Sequence, residues 1–275
     1  MQLRSHLWAD LTRDEVAAAR DAGALVVIPI GATEQHAGHL PTGTDSLATG
    51  RISLMAAQEC PHPVLVTPTV WAAFSPHHAS WPGTLTLRLA TLQALLEDIT
   101  ASIARAGFGR QLLVNAHGGN RGPLTAITTE LITGGREVGY VDYFAPAMAE
   151  VNAMLAGQGR GVTHAGEVET SLVLALERGD PDRLAFLQAR AAGLPARSKA
   201  THRASGGGAA NPISAAGAWW PPVYPGDDVG YNGDPGSGSV ETGERIIAAI
   251  VPRLAAFFSD FAAAELRSGN MKPAG

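Results

Sequence analysis

Two rhythms of apolar and polar positions alternate along the first two-thirds of the chain. Residues 24–30 form an apolar run from Ala24 to Ile30, the pattern of a strand covered on both faces. Before it, residues 12–23 read as a helix: Thr12 is placed to cap, Glu15 stands three residues on, and Gly23 stops the turn. Residues 46–59 again read as helix and residues 64–70 as strand. The clearest helix covers residues 91–106, where Leu92, Leu95, Leu96, Ile99 and Ile103 keep three- and four-residue spacing and Gly107 closes it. A short buried strand at 111–115, a helix at 123–133 and a strand at 138–142 follow. This βαβ rhythm predicts the α/β class, with a mostly parallel sheet and helices on both sides. Sheets of that kind bind ligands at the carboxyl ends of their strands. From about residue 195 to 240 the pattern dissolves into glycine, proline and aromatic residues, and a last helix is expected over 241–266.

With 275 residues, 45% of them hydrophobic, the chain can bury a sizeable core, and a single domain over 1–275 is expected. A net charge of −5 argues against nucleic acid or an anionic membrane as partner. The first ten residues lack the apolar core of a signal peptide, and no run of 18 apolar residues occurs, so no membrane span is expected. Cys60 is the one cysteine, which rules out an internal disulfide and suits a reducing, cytoplasmic setting.

The chemistry lies in three separated stretches. Residues 31–45 offer Glu34, His36, His39 and Asp45; residues 115–120 offer His117; residues 164–171 offer His164, Glu167 and Glu169. Imidazoles mixed with carboxylates suit Zn²⁺, Mn²⁺ or Fe²⁺ better than Ca²⁺ or a thiolate-bound cluster. On an extended segment, Glu34 and His36 fall on one face and can reach two adjacent ions. Asp45 can bridge two ions with its two oxygens, or simply cap the next helix. Glu167 or Glu169 can complete the second ion, although Glu169 also reads as an ordinary first-turn helix carboxylate. Two divalent cations against Glu34, Asp45, Glu167 and a shared hydroxide give a neutral centre, which a partly dry pocket tolerates. Such ions lower the pKa of the shared water and polarise a carbonyl. His164 is then the candidate proton shuttle to the leaving nitrogen. His39 is expected to orient a ligand rather than bind metal. His77 and His78 follow a probable strand and can face the same cleft. On the substrate side the candidates are His77, Gly118, Trp219 and Trp220, the two tryptophans being more often core or interface residues than stackers.

Taken together, Glu34, His36, His39 and Asp45 within 29–45, Ser75 to His78 with Trp81 to Thr84, Asn115 to Asn120, and His164 to Ser171 resemble the creatininase (creatinine amidohydrolase) family. The resemblance covers roughly residues 25–250. It implies a three-layer α/β/α fold, a dinuclear metal site, hydrolysis of an amide C–N bond in a small molecule, and a homohexamer built from dimers. Carried over by position, Glu34, Asp45 and His117 would hold one ion, His36 and Asp45 the other; His164 would be the catalytic histidine and Ser75 would line the pocket. One position departs. Where creatininase itself has a glutamate two residues after the histidine of the second stretch, this chain has Gly119, and Glu167 is the expected replacement. Other branches share the pairing of His-Gly-Gly-Asn with His-Ala-Gly-Glu, among them a formamide hydrolase and a peptidase of a redox-cofactor precursor. The substrate is therefore expected to be a linear or cyclic amide other than creatinine. Hydrolysis of a cyclic ketone or ester, or a non-catalytic subunit that keeps metal for structure, are the alternatives.

Overall fold

The computed structural model describes residues 3–157, 161–197 and 229–265. Four strands form one sheet: β1 (Leu25–Ile30), β2 (Val64–Val66), β3 (Arg110–Asn115) and β4 (Glu137–Asp142), in the order β2-β1-β3-β4 with every neighbouring pair parallel. Strands that run the same way cannot be joined by tight turns, so each connection crosses over a face of the sheet. The α/β class and the covered, parallel sheet read from the sequence are what the structure shows.

Side chains of β1 split by parity between two cores. Leu25 and Val27 pack into one, with Leu112 and Val114 of β3; Val26, Ile28 and Ile30 pack into the other, with Leu113. Strand residues alternate faces, and here both faces are roofed by helices, which is why the run is apolar throughout. The first face carries α2 (Thr44–Glu59), α5 (Met148–Met154), α6 (Glu167–Leu176) and α8 (Val240–Ala263). The second carries α1 (Arg13–Asp21), α3 (Leu89–Arg105) and α4 (Arg121–Thr133). A third, smaller cluster seats α7 (Pro181–Ala191) against α6, with Leu187, Val173, Leu174, Leu40 and Tyr231.

Local signals explain the ends. Thr12 and Glu15 form the expected reciprocal cap of α1. The expected strand over 64–70 is shorter, ending at Val66, because Pro68 has no N–H for a ladder; Val70 nonetheless bridges Ile30. Helix α2 begins at Thr44, so Asp45 lies in its first turn. Helix α8 is long and apolar enough, by length and composition, to cross a membrane. In this fold its apolar face, from Ile246 to Phe258, fills the first core, while Glu244 and Arg253 on its outer side pair with Arg178 and Glu150.

Candidate metal centre

Ile30 and Asn115 are register partners at the carboxyl ends of β1 and β3, so the loops that follow them leave the sheet side by side. Asn120 stitches these loops together. Its amide donates to Gly31 O at 3.0 Å and to Asn115 Oδ1 at 3.1 Å, and its Oδ1 accepts the Phe74 N–H at 3.0 Å. Asn115 in turn accepts the His117 N–H at 3.1 Å and donates to His117 O at 2.8 Å, which fixes the backbone that carries the imidazole. The polar residues around His117 are thus the joinery of the site.

Into the space between the loops project Glu34, His36, Asp45 and His117, all nearly or wholly buried. His117 Nδ1 lies 3.2 Å from Glu34 Oε1 and 3.3 Å from Asp45 Oδ2. His36 Nε2 lies 3.5 Å from Asp45 Oδ1 and 3.6 Å from Glu169 Oε2. Asp45 therefore faces one histidine with each oxygen. His164 Nδ1 and His78 Nε2 approach Glu34 Oε1 at 3.4 and 3.5 Å. Glu34 Oε2 accepts a short bond from Ser75 Oγ, which holds the carboxylate from behind.

The electrostatics call for cations. Burial opposes charge on every one of these groups. Even so, the carboxylates Asp45, Glu169 and Glu34 hold His36 up at about 9, and Glu34 and Asp45 raise His117 well above its ordinary value. The two imidazoles return the favour, pulling Glu34 and Asp45 below the usual carboxylate range. Burial and the neighbouring Asp45 and Glu34 push Glu169 up to about 7, against the pull of His36. His164, buried beside these charged rings, is held well below the ordinary imidazole value. Three carboxylates thus gather protons onto His36 and His117, and protons are what a metal displaces. Three buried atoms at the centre, Glu34 Oε1, His36 Nε2 and Asp45 Oδ2, make no hydrogen bond. Leaving such atoms unpaired costs about 1–3 kcal/mol each, whereas ion coordination satisfies them. Overlapping sets with ligand atoms within 4.8 Å of one another arise here: Glu34, His36 and Asp45; His36, His164 and Glu169; Glu34, His77 and His117; Glu34, His78 and His164. The donor set fits a divalent ion of intermediate hardness.

The structure does not bring Glu167 to this cluster. Its two oxygens accept the Ala156 and Gly157 N–H groups, each at 2.9 Å. Glu169 stands at the centre instead. It is the third residue of α6, and its Oε2 accepts the N–H of Ala165 at 2.5 Å, an arrangement that the positive φ of Ala165 (48°) permits. Glu169 is thus a first-turn helix carboxylate, as the sequence offered, and also lies beside His36 in the cluster.

Gly119, the departure from creatininase, is enforced sterically. A Cβ there would run into His117 Nε2, lie 2.5 Å from His77 Cε1 and 2.9 Å from Phe74 O, so a carboxylate mounted at this position would have to displace these rings. His77 stacks on His117, with ring centroids 5.3 Å apart at 14°. Ser75 is fully buried against Glu34, Gly118 is exposed at the loop surface, and Trp219 and Trp220 lie outside the described residues. His39 contacts Thr170 Oγ1 at 3.1 Å with Nε2 and Tyr231 edge to face, and is in none of the ligand sets. Two residues carried no assigned role in the sequence reading: His78, for which the adjacent-histidine pair was the available signal, and Gln35, for which there was none.

A parallel α/β/α sandwich with an imidazole–carboxylate cluster at its strand ends defines a metal-dependent hydrolase. The family model described as creatininase, creatinine amidohydrolase, matches residues 9–258, and the chain belongs to that family of metal-dependent amidohydrolases. A mycofactocin precursor peptide peptidase of Mycobacterium tuberculosis is 30% identical over 234 residues, 82% of this chain and 81% of the relative. Among solved structures, a mutant creatininase superposes with a TM-score of 0.74 at 26% identity, covering 94% of this chain and 100% of that one. Another, a creatininase mutant described as Zn-Zn type, gives 0.68 at 25% identity over 95% and 100%. The likeness to the peptidase accords with a place beside the branches that share the His-Gly-Gly-Asn and His-Ala-Gly-Glu pairing.

Proposed function

We propose that the chain hydrolyses a linear or cyclic amide C–N bond with the help of two divalent ions. The observation that carries this reading is the set of three buried ligand atoms without a hydrogen bond, Glu34 Oε1, His36 Nε2 and Asp45 Oδ2, with His117 Nδ1 facing both carboxylates. Glu34, His117 and Asp45 would hold one ion, and His36, Asp45 and Glu169 the other, with Glu169 in the role expected of Glu167. Zinc is the first choice for both positions, manganese and iron the alternatives; the donor set and the Zn-Zn creatininase support this order. Bound there, such ions supply Lewis acidity toward a carbonyl and a water of lowered pKa.

The chain's own residues set the geometry. Ser75 and the Asn115–Asn120 network hold Glu34 and His117, so that the ligands meet the ions preorganised. His164 flanks the cluster between the rings of His36 and His78, at 4.5 and 4.3 Å between centroids, and is the group that addresses the reacting amide. The proton transfer expected of His164 depends on where its own proton sits. A small-molecule amide or the end of a peptide is the substrate class, the latter supported by the peptidase relative. A homohexamer built from dimers is proposed for the assembly, supported by the exposed Trp71, Leu85 and Leu89 beside the same loops. A cytoplasmic location is proposed from the lone Cys60.

Full-length protein loaded with zinc, manganese or iron, offered lactams, formamides, N-acyl amines and short peptides, tests the reading by mass-spectrometric product identification. Turnover of at least one amide, abolished by chelation and restored by metal, is expected. Cleavage of esters or cyclic ketones alone would overturn it.

A further inference from the structure

Gln35 lies between the two ligand residues Glu34 and His36 and is itself buried. Its amide is held by four partners. Oε1 accepts the Ala37 N–H at 2.8 Å, and Nε2 donates to Gly230 O at 3.0 Å. These two backbone groups fix which end of the amide is which. Flipping it would set oxygen against a carbonyl and nitrogen against an N–H. The backbone is shaped around this side chain: Ala37 takes a positive φ of 56°, and Gly230 sits at φ 78° where a Cβ would collide with Gln35 Oε1.

With the amide oriented, its Nε2 faces His78 Nδ1 at 2.9 Å and His164 Nε2 at 3.0 Å. An amide nitrogen donates and has no lone pair to offer. At these distances each facing ring nitrogen must present its lone pair, since an N–H directed at the amide N–H would be repelled. One amide hydrogen goes to Gly230 O, and the other is shared between the rings. In the neutral imidazoles the protons are thereby sent to the opposite nitrogens, His78 Nε2 and His164 Nδ1. Those are the two atoms that face Glu34 Oε1, at 3.5 and 3.4 Å, on the side of the ligand cluster.

We propose that Gln35 is a positioning residue whose fixed amide sets the tautomers of His78 and His164, so that both rings face the reaction centre as N–H donors rather than as bases. His164 then polarises or stabilises an oxygen that gains charge, as a neutral imidazole can. The shuttle role expected from the sequence requires a free lone pair at the inner nitrogen, which this arrangement withholds. The tautomer assignment stands on geometry; its catalytic meaning rests on the hydrolase reading above.

The test is a long-range ¹H–¹⁵N correlation spectrum of the zinc-loaded full-length protein labelled at histidine, with His78 and His164 assigned by their loss in H78Q and H164Q. The expected result is a proton on His164 Nδ1 and on His78 Nε2. A proton on His164 Nε2 or His78 Nδ1 overturns the proposal, and this measurement needs no variant of Gln35. In Gln35→Glu an acceptor replaces the donor, so the proton should move to the nitrogen that faces residue 35. There kcat should fall by about 10²–10³-fold, the range for losing one positioned donor to an oxygen that gains charge, with KM little changed. Unchanged tautomers in a folded Gln35→Glu protein would also overturn it. The assigned tautomers in a protein that cleaves no amide would sink the hydrolase reading and leave this assignment standing; amide turnover with the opposite tautomers would do the reverse.

Discussion

Glu167 and Glu169 separate the metal-holding role from the structural one, and a pair of conservative variants tests the separation. In Glu167→Gln the single remaining oxygen can accept only one of the Ala156 and Gly157 N–H groups, and the new amide nitrogen faces the other. One N–H, that of the exposed Ala156 or the half-buried Gly157, loses its partner, a cost of at most about 1–3 kcal/mol because solvent reaches it. For a chain of this size, Tm falls about 2–4 °C per kcal/mol, so a drop of up to about 12 °C is expected, with both metal equivalents retained. In Glu169→Gln the amide oxygen can still accept the Ala165 N–H, so the metal-free protein should melt within about 4 °C of the parent. One of three carboxylates is gone, however, and bound metal should fall from two equivalents to one. Plasma emission spectrometry on desalted protein and differential scanning calorimetry read the two effects separately. Loss of metal in Glu167→Gln with full occupancy in Glu169→Gln would refute the reasoning.

The metal-free protein should lose stability as pH rises from about 6.5 to 9. His36 is held at about 9 by Asp45, Glu169 and Glu34 in spite of its burial, above its free value of 6.5. A group raised in this way stabilises the fold fully below its free value and loses that contribution as pH climbs through the folded value. The loss is up to about 3 kcal/mol at 1.36 kcal/mol per unit, and Glu169, raised to about 7, acts in the same direction at lower pH. Calorimetry at pH 6.5, 8 and 9 should show Tm falling without metal and nearly level with zinc, which takes the place of the protons; a Tm that rises with pH in the metal-free protein would contradict the electrostatics. Gly119→Ala should displace the His117 or His77 ring, lowering stability by about 1–3 kcal/mol and weakening metal retention in equilibrium dialysis. Unaltered stability and metal affinity would contradict the close packing of the two rings over Gly119.

Much of this molecule is legible in its sequence because burial on both faces leaves a plain mark. The run 24–30 became β1, and the spaced leucines and isoleucines of 91–106 became α3, displaced by only a residue or two at the ends. The convergence of residues 34, 36, 45 and 117 was likewise readable, since loops after adjacent parallel strands leave the sheet at the same edge. The choice between Glu167 and Glu169 was not. Helix residues two apart point about 200° away from each other, so only one of them can face the cluster, and nothing local says which. Gln35 was hidden for a different reason: its partners His78, His164 and Gly230 are 43, 129 and 195 residues away in sequence. A polar residue whose functional partners are this distant looks, along the chain, like any loop glutamine.

The most direct test of the central claim is an anomalous difference map at the zinc edge from crystals of the full-length protein. Two peaks about 3.5–4 Å apart, one contacted by Glu34 and His117, the other by His36 and Glu169, with Asp45 between them, are the predicted result. A single ion, an ion held by Glu167, or no ion at the ends of β1 and β3 at saturating zinc would contradict it.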